Sequence, residues 1–465
     1  MAGLLFLPVP RRRFGRPNSP LLLIMPGGLL AGLLVAGALI SASAAATGEA
    51  RPGNPHHPGP RVTSQLTGSV VAHDGGRLRL ITDLGNVRVQ TRDVSSVNYT
   101  VYLEADASQK DASDLLKRFA ISGHVAPDGV AIRGQTLGRE CSGRLWVTIQ
   151  VTIPKNYALD ITTGGGNIET DDINGRAALS TAGGNITAGN IGGPARLDSE
   201  SGGHIMVKNV AGDLTAITGG GHITTGSVAG SANLHTTGGH IRVASVQGIA
   251  HLDTGGGNVT LQHAGTELIA ETTGGQIEVG EAAGLVRAKT GGGGIRVVRV
   301  SGPTNLQTTG GSIYLTQVDS AVRASAAAGG ITAWFVAPPK GSGGCELASN
   351  DGDILVYLPR LLPVTIDARV QIGDDHRVIV DPAFPLKVSY DDRLNGARSM
   401  TAEGSLNGGG EVIRLRTVAG NIRLAVAEPT KQLQLYKAQM REIEVNLEHQ
   451  MRFFEPPVLQ DPPQP

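Results

Sequence analysis

The sequence predicts an all-β protein, a single-stranded parallel β-helix (β-solenoid) of about 18 residues per coil, followed by a C-terminal α-helix. Three observations predict it. An apolar residue recurs at Ile168, Ile186, Ile205, Ile223, Ile241, Val259, Ile277, Ile295, Ile313 and Ile331, at intervals of 18 residues apart from one of 19. A glycine stands two residues before each of the ten: Gly166, Gly184, Gly203, Gly221, Gly239, Gly257, Gly275, Gly293, Gly311 and Gly329. The composition agrees, with 66 glycines and only 3% aromatic residues among 465. That balance suits short strands joined by tight turns better than an aromatic-rich globular core.

At the N-terminus, Arg11, Arg12, Arg13 and Arg16 precede an apolar stretch from Leu21 to Ile40, and small residues fill Ser41 to Ala46. Residues 1–46 therefore read as an export signal peptide with a cleavage motif at Ala42-Ser43-Ala44. The apolar run is also nearly long enough to serve as an uncleaved membrane anchor. The protein is expected to be exported: periplasmic, cell-surface or secreted. Residues 47–62 are a Pro/Gly-rich linker. Residues 63–160 are a β segment, in which RLRLITDLGNVRV and RLWVTIQVTIP alternate strongly and DASDLLKRFA forms a short helix. A solenoid exposes unpaired strand edges at its ends, so this segment is expected to cap the first end.

Residues 161–357 are the regular solenoid. Two residues after the Ile comes a second apolar residue, as at Val207, Val243, Leu261 and Val279. Ala/Leu pairs follow, such as Ala177 with Leu179 and Ala250 with Leu252, then a Thr, as at Thr181, Thr236, Thr254, Thr272, Thr290 and Thr308. This alternation gives each unit two short strands with one buried face. A unit of this length cannot also hold a helical crossover. Each strand must pair in parallel with its copy one coil on, about 4.8 Å away. Parallel crossovers are overwhelmingly right-handed, so the coil is expected to wind that way. The glycines sit where the coil reverses, one position needing positive φ and the stacked neighbours leaving little room for a Cβ. The Thr column points inward beside the turn, as a ladder of hydroxyls bonded to turn backbone. The same phase recurs at Leu78, Leu80, Thr82, Gly85 and Val87, at Cys345, Leu347, Ser349, Gly352 and Ile354, and at Ile413, Leu415, Thr417, Gly420 and Ile422.

Residues 358–428 are irregular C-terminal coils, and residues 429–465 are an amphipathic helix and a Pro-rich tail. Leu433, Tyr436, Met440, Ile443 and Leu447 place one apolar stripe on that helix. The stripe is expected to lie on the solenoid; a second reading is self-association of copies through a coiled coil over helix 430–452. Cys141 precedes the regular coils and Cys345 follows them, too far apart for a bridge in a straight stack. No Cys141–Cys345 disulfide is expected, and both thiols are expected to be free and buried.

Two constellations can carry chemistry. His204, His222 and His240 stack in consecutive coils just before the Ile column, among Asn167, Asn185 and Asn258. Imidazoles suit zinc or nickel, but a straight column does not converge on one ion. The alternative is a turn position that tolerates Asn and His in left-handed backbone. On an outward face, His235, Asp253, Glu271 and Lys289 occupy one position in four coils, with His251 beside them. Polysaccharide-cleaving enzymes place acid/base groups on such faces, although a solvated ladder of charges gives the same pattern. The stretch TGGGG at Thr290–Gly294 lacks the Lys-Ser/Thr of a phosphate loop, and the inward Thr column offers no flat ice-binding face. The formal net charge is zero, which leaves no basic field for nucleic acid. No cofactor is expected.

The stretches LITDLGNVRV, VTIPKNYALDITTGGGNIETDDINGRAALSTAGGNI and IRLRTVAGNIRL resemble an uncharacterised bacterial family of β-strand-repeat proteins that carry the label "putative adhesin". The resemblance covers roughly residues 65 to 427 and implies a β-helical envelope protein without assigned catalytic residues. The expected function is thus an exported cell-envelope solenoid with a structural, adhesive or binding role and no catalysis. Its partner would be an envelope protein, a glycan or a surface. One alternative is a carbohydrate-active enzyme using His235, His251, Asp253, Glu271 and Lys289; another is an envelope-stress scaffold or sensor.

Overall fold

Alternation of buried and exposed residues along each repeat builds two long, mostly parallel sheets, consistent with a solenoid. The computed structural model describes residues 61–107, 112–138, 145–340, 343–372, 377–391 and 398–451. The expected export signal, the linker up to residue 60, Cys141 and the tail from residue 452 lie outside the described residues. Arg61 and Val62, assigned to the linker by composition, belong instead to the first strand, Arg61–Val71.

One sheet carries the isoleucine column. Ile186 pairs with Ile205, Ile205 with Ile223, and Ile223 with Ile241, all in parallel. The other carries the Thr column: Leu234 pairs with Leu252 and Thr236 with Thr254, again in parallel. We call them the isoleucine sheet and the threonine sheet. Their inward residues meet in one continuous core, in which the isoleucine column from Ile168 to Ile331 is at most 1% exposed. Removing each such side chain from water stabilises the fold by about 1.5–3 kcal/mol.

The order of strands in the stack departs from their order in the chain at both ends. In the threonine sheet, Arg77–Thr82 lies between Gly129–Thr136 and Ala158–Thr163. In the isoleucine sheet, Asn86–Arg92 lies between Leu145–Pro154 and Ile168–Thr170. The chain therefore lays down one repeat, leaves to build the outer strands, and returns on the inner side. The far end repeats the plan. Val412–Thr417 inserts between Cys345–Ser349 and Val364–Ile372, and Ile422–Val426 between Ile354–Leu358 and Val378–Val380. Among the described residues, antiparallel pairs occur only in these outer strands, such as Arg61–Val71 with Ser96–Asp106 and Val364–Ile372 with Arg398–Leu406.

The C-terminal helix, Pro429–Met451, crosses the outer face of the isoleucine sheet from Ile313–Ser320 to Ile223–Val228. Ile443 and Leu447 are buried against Val298, with Tyr436 and Met440 packed alongside. Gln432 donates from Nε2 to the Thr316 carbonyl at 3.0 Å, and Thr316 Oγ1 donates to Gln439 Oε1 at 2.6 Å. The apolar stripe that a coiled coil would need is thus seated on the chain's own sheet. Leu433, counted in the stripe, is 47% exposed. Cys345 is buried in the core, and burial pushes its thiol pKa up to about 11.

Candidate functional site

The turn at the end of most threonine-sheet strands is built from a Thr and a Gly. Thr236 Oγ1 donates to the Gly221 carbonyl of the preceding repeat at 2.8 Å, and the Gly239 amide donates to Thr236 Oγ1 at 3.2 Å. The same hydroxyl-to-carbonyl bond recurs from Thr181, Ser199, Thr218, Thr254, Thr272, Thr290 and Thr308. It holds glycine over glycine so closely that a Cβ on Gly239 would lie 1.9 Å from the Gly221 oxygen. Positive φ is not the reason for most of this column: Gly166, at φ 129°, is its one member in the left-handed region.

The Asn/His column next to this turn is a second ladder. Asn185 N–H donates to Asn167 Oδ1 and His204 N–H to Asn185 Oδ1. The His222 amide then donates to His204 Nδ1 at 2.9 Å, the His240 amide to His222 Nδ1 at 2.9 Å, and the Asn258 amide to His240 Nδ1 at 2.8 Å. Asn and His share the column because each presents an acceptor at the same reach from its backbone. Left-handed backbone has no part in it, since Asn407 is the only described non-glycine at positive φ. The three rings stack with centroids 4.8 Å apart. Accepting at Nδ1 leaves the proton on Nε2, so neither nitrogen offers a free lone pair to a metal. Among the described residues, no group of three or more His, Cys, Asp or Glu converges as a metal site. Burial first, then the neighbouring His240, His204 and Arg242, lower the His222 pKa to about 4.

His235, Asp253, Glu271 and Lys289 stand in register on the outer face of the threonine sheet. The geometry brings only the first two together, with His235 Nδ1 2.9 Å from Asp253 Oδ2. Both are exposed enough that solvent screens the pair, which is worth little to stability. No ion pair closes between Glu271 and Lys289, and His251 faces solvent two residues before Asp253 on the same strand. These side chains lie on the outward face of the sheet.

One cluster escaped sequence reasoning. On the isoleucine sheet, His263 Nδ1 lies 3.5 Å from Glu281 Oε2, and Tyr436 of the helix donates to Glu281 Oε1 at 2.5 Å. That hydrogen bond is the first cause of a raised Tyr436 pKa. His263 and Glu281 occupy one column 18 residues apart, a signal open to the eye. The partner 155 residues away has no local signature.

The sequence profile of a family described as Toastrack DUF4097 matches residues 79–425. No curated protein matches the chain. Among solved structures, the chain is similar to a designated "putative cell adhesion protein" from Clostridium sporogenes, at 7% identity over 78% of this chain and 100% of that one, with a TM-score of 0.17. It is similar to a "putative adhesin" from Bacteroides fragilis, at 14% identity over 54% and 96% of the two chains, with a TM-score of 0.24. A "putative adhesin" from Parabacteroides distasonis matches at 11% identity over 79% and 98%, with a TM-score of 0.20. The fold assignment rests on strand register, not on these likenesses.

Proposed function

The chain belongs to the Toastrack DUF4097 family, and from that membership we propose that it is an exported, adhesin-like binding solenoid of the cell envelope, acting by contact rather than catalysis. In this reading each coil takes about 18 residues and winds right-handed, as parallel crossovers do. One observation carries the proposal: outward polar side chains of the threonine sheet stand in register across successive parallel strands, as in His235, Asp253, Glu271, Lys289 and Gln307. Rows of varied donors and acceptors on a rigid support favour many weak contacts made at once, and linked contacts multiply affinity. The purified chain should bind isolated envelopes or members of a glycan panel, more tightly when several copies are displayed together. Binding that does not respond to valency would count against it.

The His235–Asp253 pair supports a second, enzymatic reading, since a carboxylate can orient a histidine for proton transfer. It predicts glycan hydrolysis by the wild-type chain that disappears in the His235→Ala, Asp253→Ala variant at unchanged melting temperature. An inactive wild type across a broad glycan panel would remove this reading.

A further inference from the structure

The repeat lengthens in the threonine sheet between Ala324 and its register partner Leu347, 23 residues on instead of 18, and a recess lies there. The longer strand Ile331–Lys340 precedes Gly343 and Gly344, both at positive φ. Their backbone walls a hollow of about 370 Å³ whose other sides are Leu285, Arg287, Pro303, Asn305 and Arg323. Asn305 stands in register between Arg287 and Arg323 on adjacent strands. Arg287 shares its charge with Glu267 at 2.6 Å. Arg323 is exposed, and no ion pair closes between it and its register neighbour Glu346. Lys289 adds a further exposed cation on the strand that carries Arg287.

We infer that this recess binds an acidic polysaccharide, with Arg287 and Arg323 holding carboxylates of the chain and Asn305 a hydroxyl between them. The inference deepens the adhesive reading and rests on it. A guanidinium holds a carboxylate by donating two parallel hydrogen bonds to it. The two arginines stand two strands apart, about 10 Å between backbones, a spacing that anions repeated along a polymer can meet together. Leu285 and Pro303 give an apolar border of the kind that packs against a sugar ring, beside the few polar groups that orient it. No aromatic side chain lines the recess, so it lacks the platform on which nucleic-acid bases stack.

The test is titration of the full chain with polygalacturonate oligosaccharides, with dextran as the neutral polymer and single-stranded DNA as a second polyanion. Polygalacturonate is expected to bind, more weakly as salt is raised. The Arg287→Ala, Arg323→Ala variant should bind about tenfold or more weakly, and Asn305→Ala less weakly than that. Arg79→Ala, an exposed cation on Arg77–Thr82 at the other end of the same sheet, should bind as wild type does. Wild-type affinity in the double variant overturns the inference, as does binding of dextran or DNA as tight as that of polygalacturonate. If the chain binds envelopes but not polygalacturonate, this inference falls and the adhesive reading stands; if it binds neither, both fall.

Discussion

The two glycines of one turn differ in what surrounds them. A Cβ on Gly239 would meet the Gly221 carbonyl, whereas one on Gly238 would meet nothing within 4 Å, and neither residue is at positive φ. Gly239→Ala should therefore destabilise the protein by about 1–3 kcal/mol. Gly238→Ala should be neutral or stabilise by up to about 1 kcal/mol, through the unfolded chain. Urea midpoints of the two variants decide it, and equal shifts would mean that glycine serves here as backbone freedom, not as space. The hydroxyl ladder has a natural gap. Ala326 occupies the register position of Thr308 and is buried, so the Gly311 carbonyl lacks the donor that its counterparts receive. Ser199 and Ser349 show that serine can fill that role. Ala326→Ser is expected to stabilise the fold by about 1 kcal/mol, read as a raised urea midpoint.

The histidine ladder makes its stretch of turns sensitive to acid. Protonation of His222 would turn its Nδ1 from an acceptor into a donor facing the His240 amide, beside two other imidazoles and Arg242. Its pKa falls from the usual 6.5 to about 4 in the fold, and that of His240 is lowered by burial and Arg242. A depressed histidine pKa means that the unfolded chain takes up the proton first. The contribution is complete above pH 6.5 and is lost as pH falls from there to about 4. Melting temperature should drop over that window, and His222→Asn, which keeps an acceptor and cannot titrate, should flatten the slope. An unchanged slope would place the acid sensitivity elsewhere. The helix is an add-on to a finished stack. Ile443→Ala removes its central buried contact and should loosen it by about 2–4 kcal/mol, seen as faster hydrogen exchange in residues 429–451 with the sheets unaffected. Leu433→Ala, on the exposed side, should stay within about 0.5 kcal/mol of wild type.

At the scale of the molecule, both ends of the stack are locked by chain that returns. Residues 412–426 pair on one side with 345–358 and on the other with 364–380. The outer C-terminal strands therefore touch the body through a segment made after them. Repeat proteins are stabilised by nearest-neighbour contacts, so ending the chain at Gly410 should cut the outer strands loose. Limited proteolysis is then expected to remove residues 364–406 while 168–358 stays protected. Continued protection of 364–406 would show that the cap holds without its bridging strand. The same antiparallel outer strands blunt the open edges that a parallel stack would otherwise offer for pairing with other copies.

The period of the Ile and Gly columns determined by itself that the protein is a parallel β stack with a sealed aliphatic interior, because inward and outward positions alternate by covalent geometry. It also exposed the Thr column, whose inward parity follows from the same alternation. It did not determine why each column holds its residue. That glycine is there for a carbonyl 1.9 Å from where a Cβ would be, and that Asn and His are interchangeable acceptors, depends on contacts between residues 15 to 19 apart, set by how the repeats stack. Nor could it order the ends: residues 77–92 and 412–426 carry the repeat phase, but phase says which face is buried and nothing about which strand lies next. The recess at Arg287 and Arg323 was hidden for the same reason, since its lining comes from residues 285 to 344 that meet only once the strands stack.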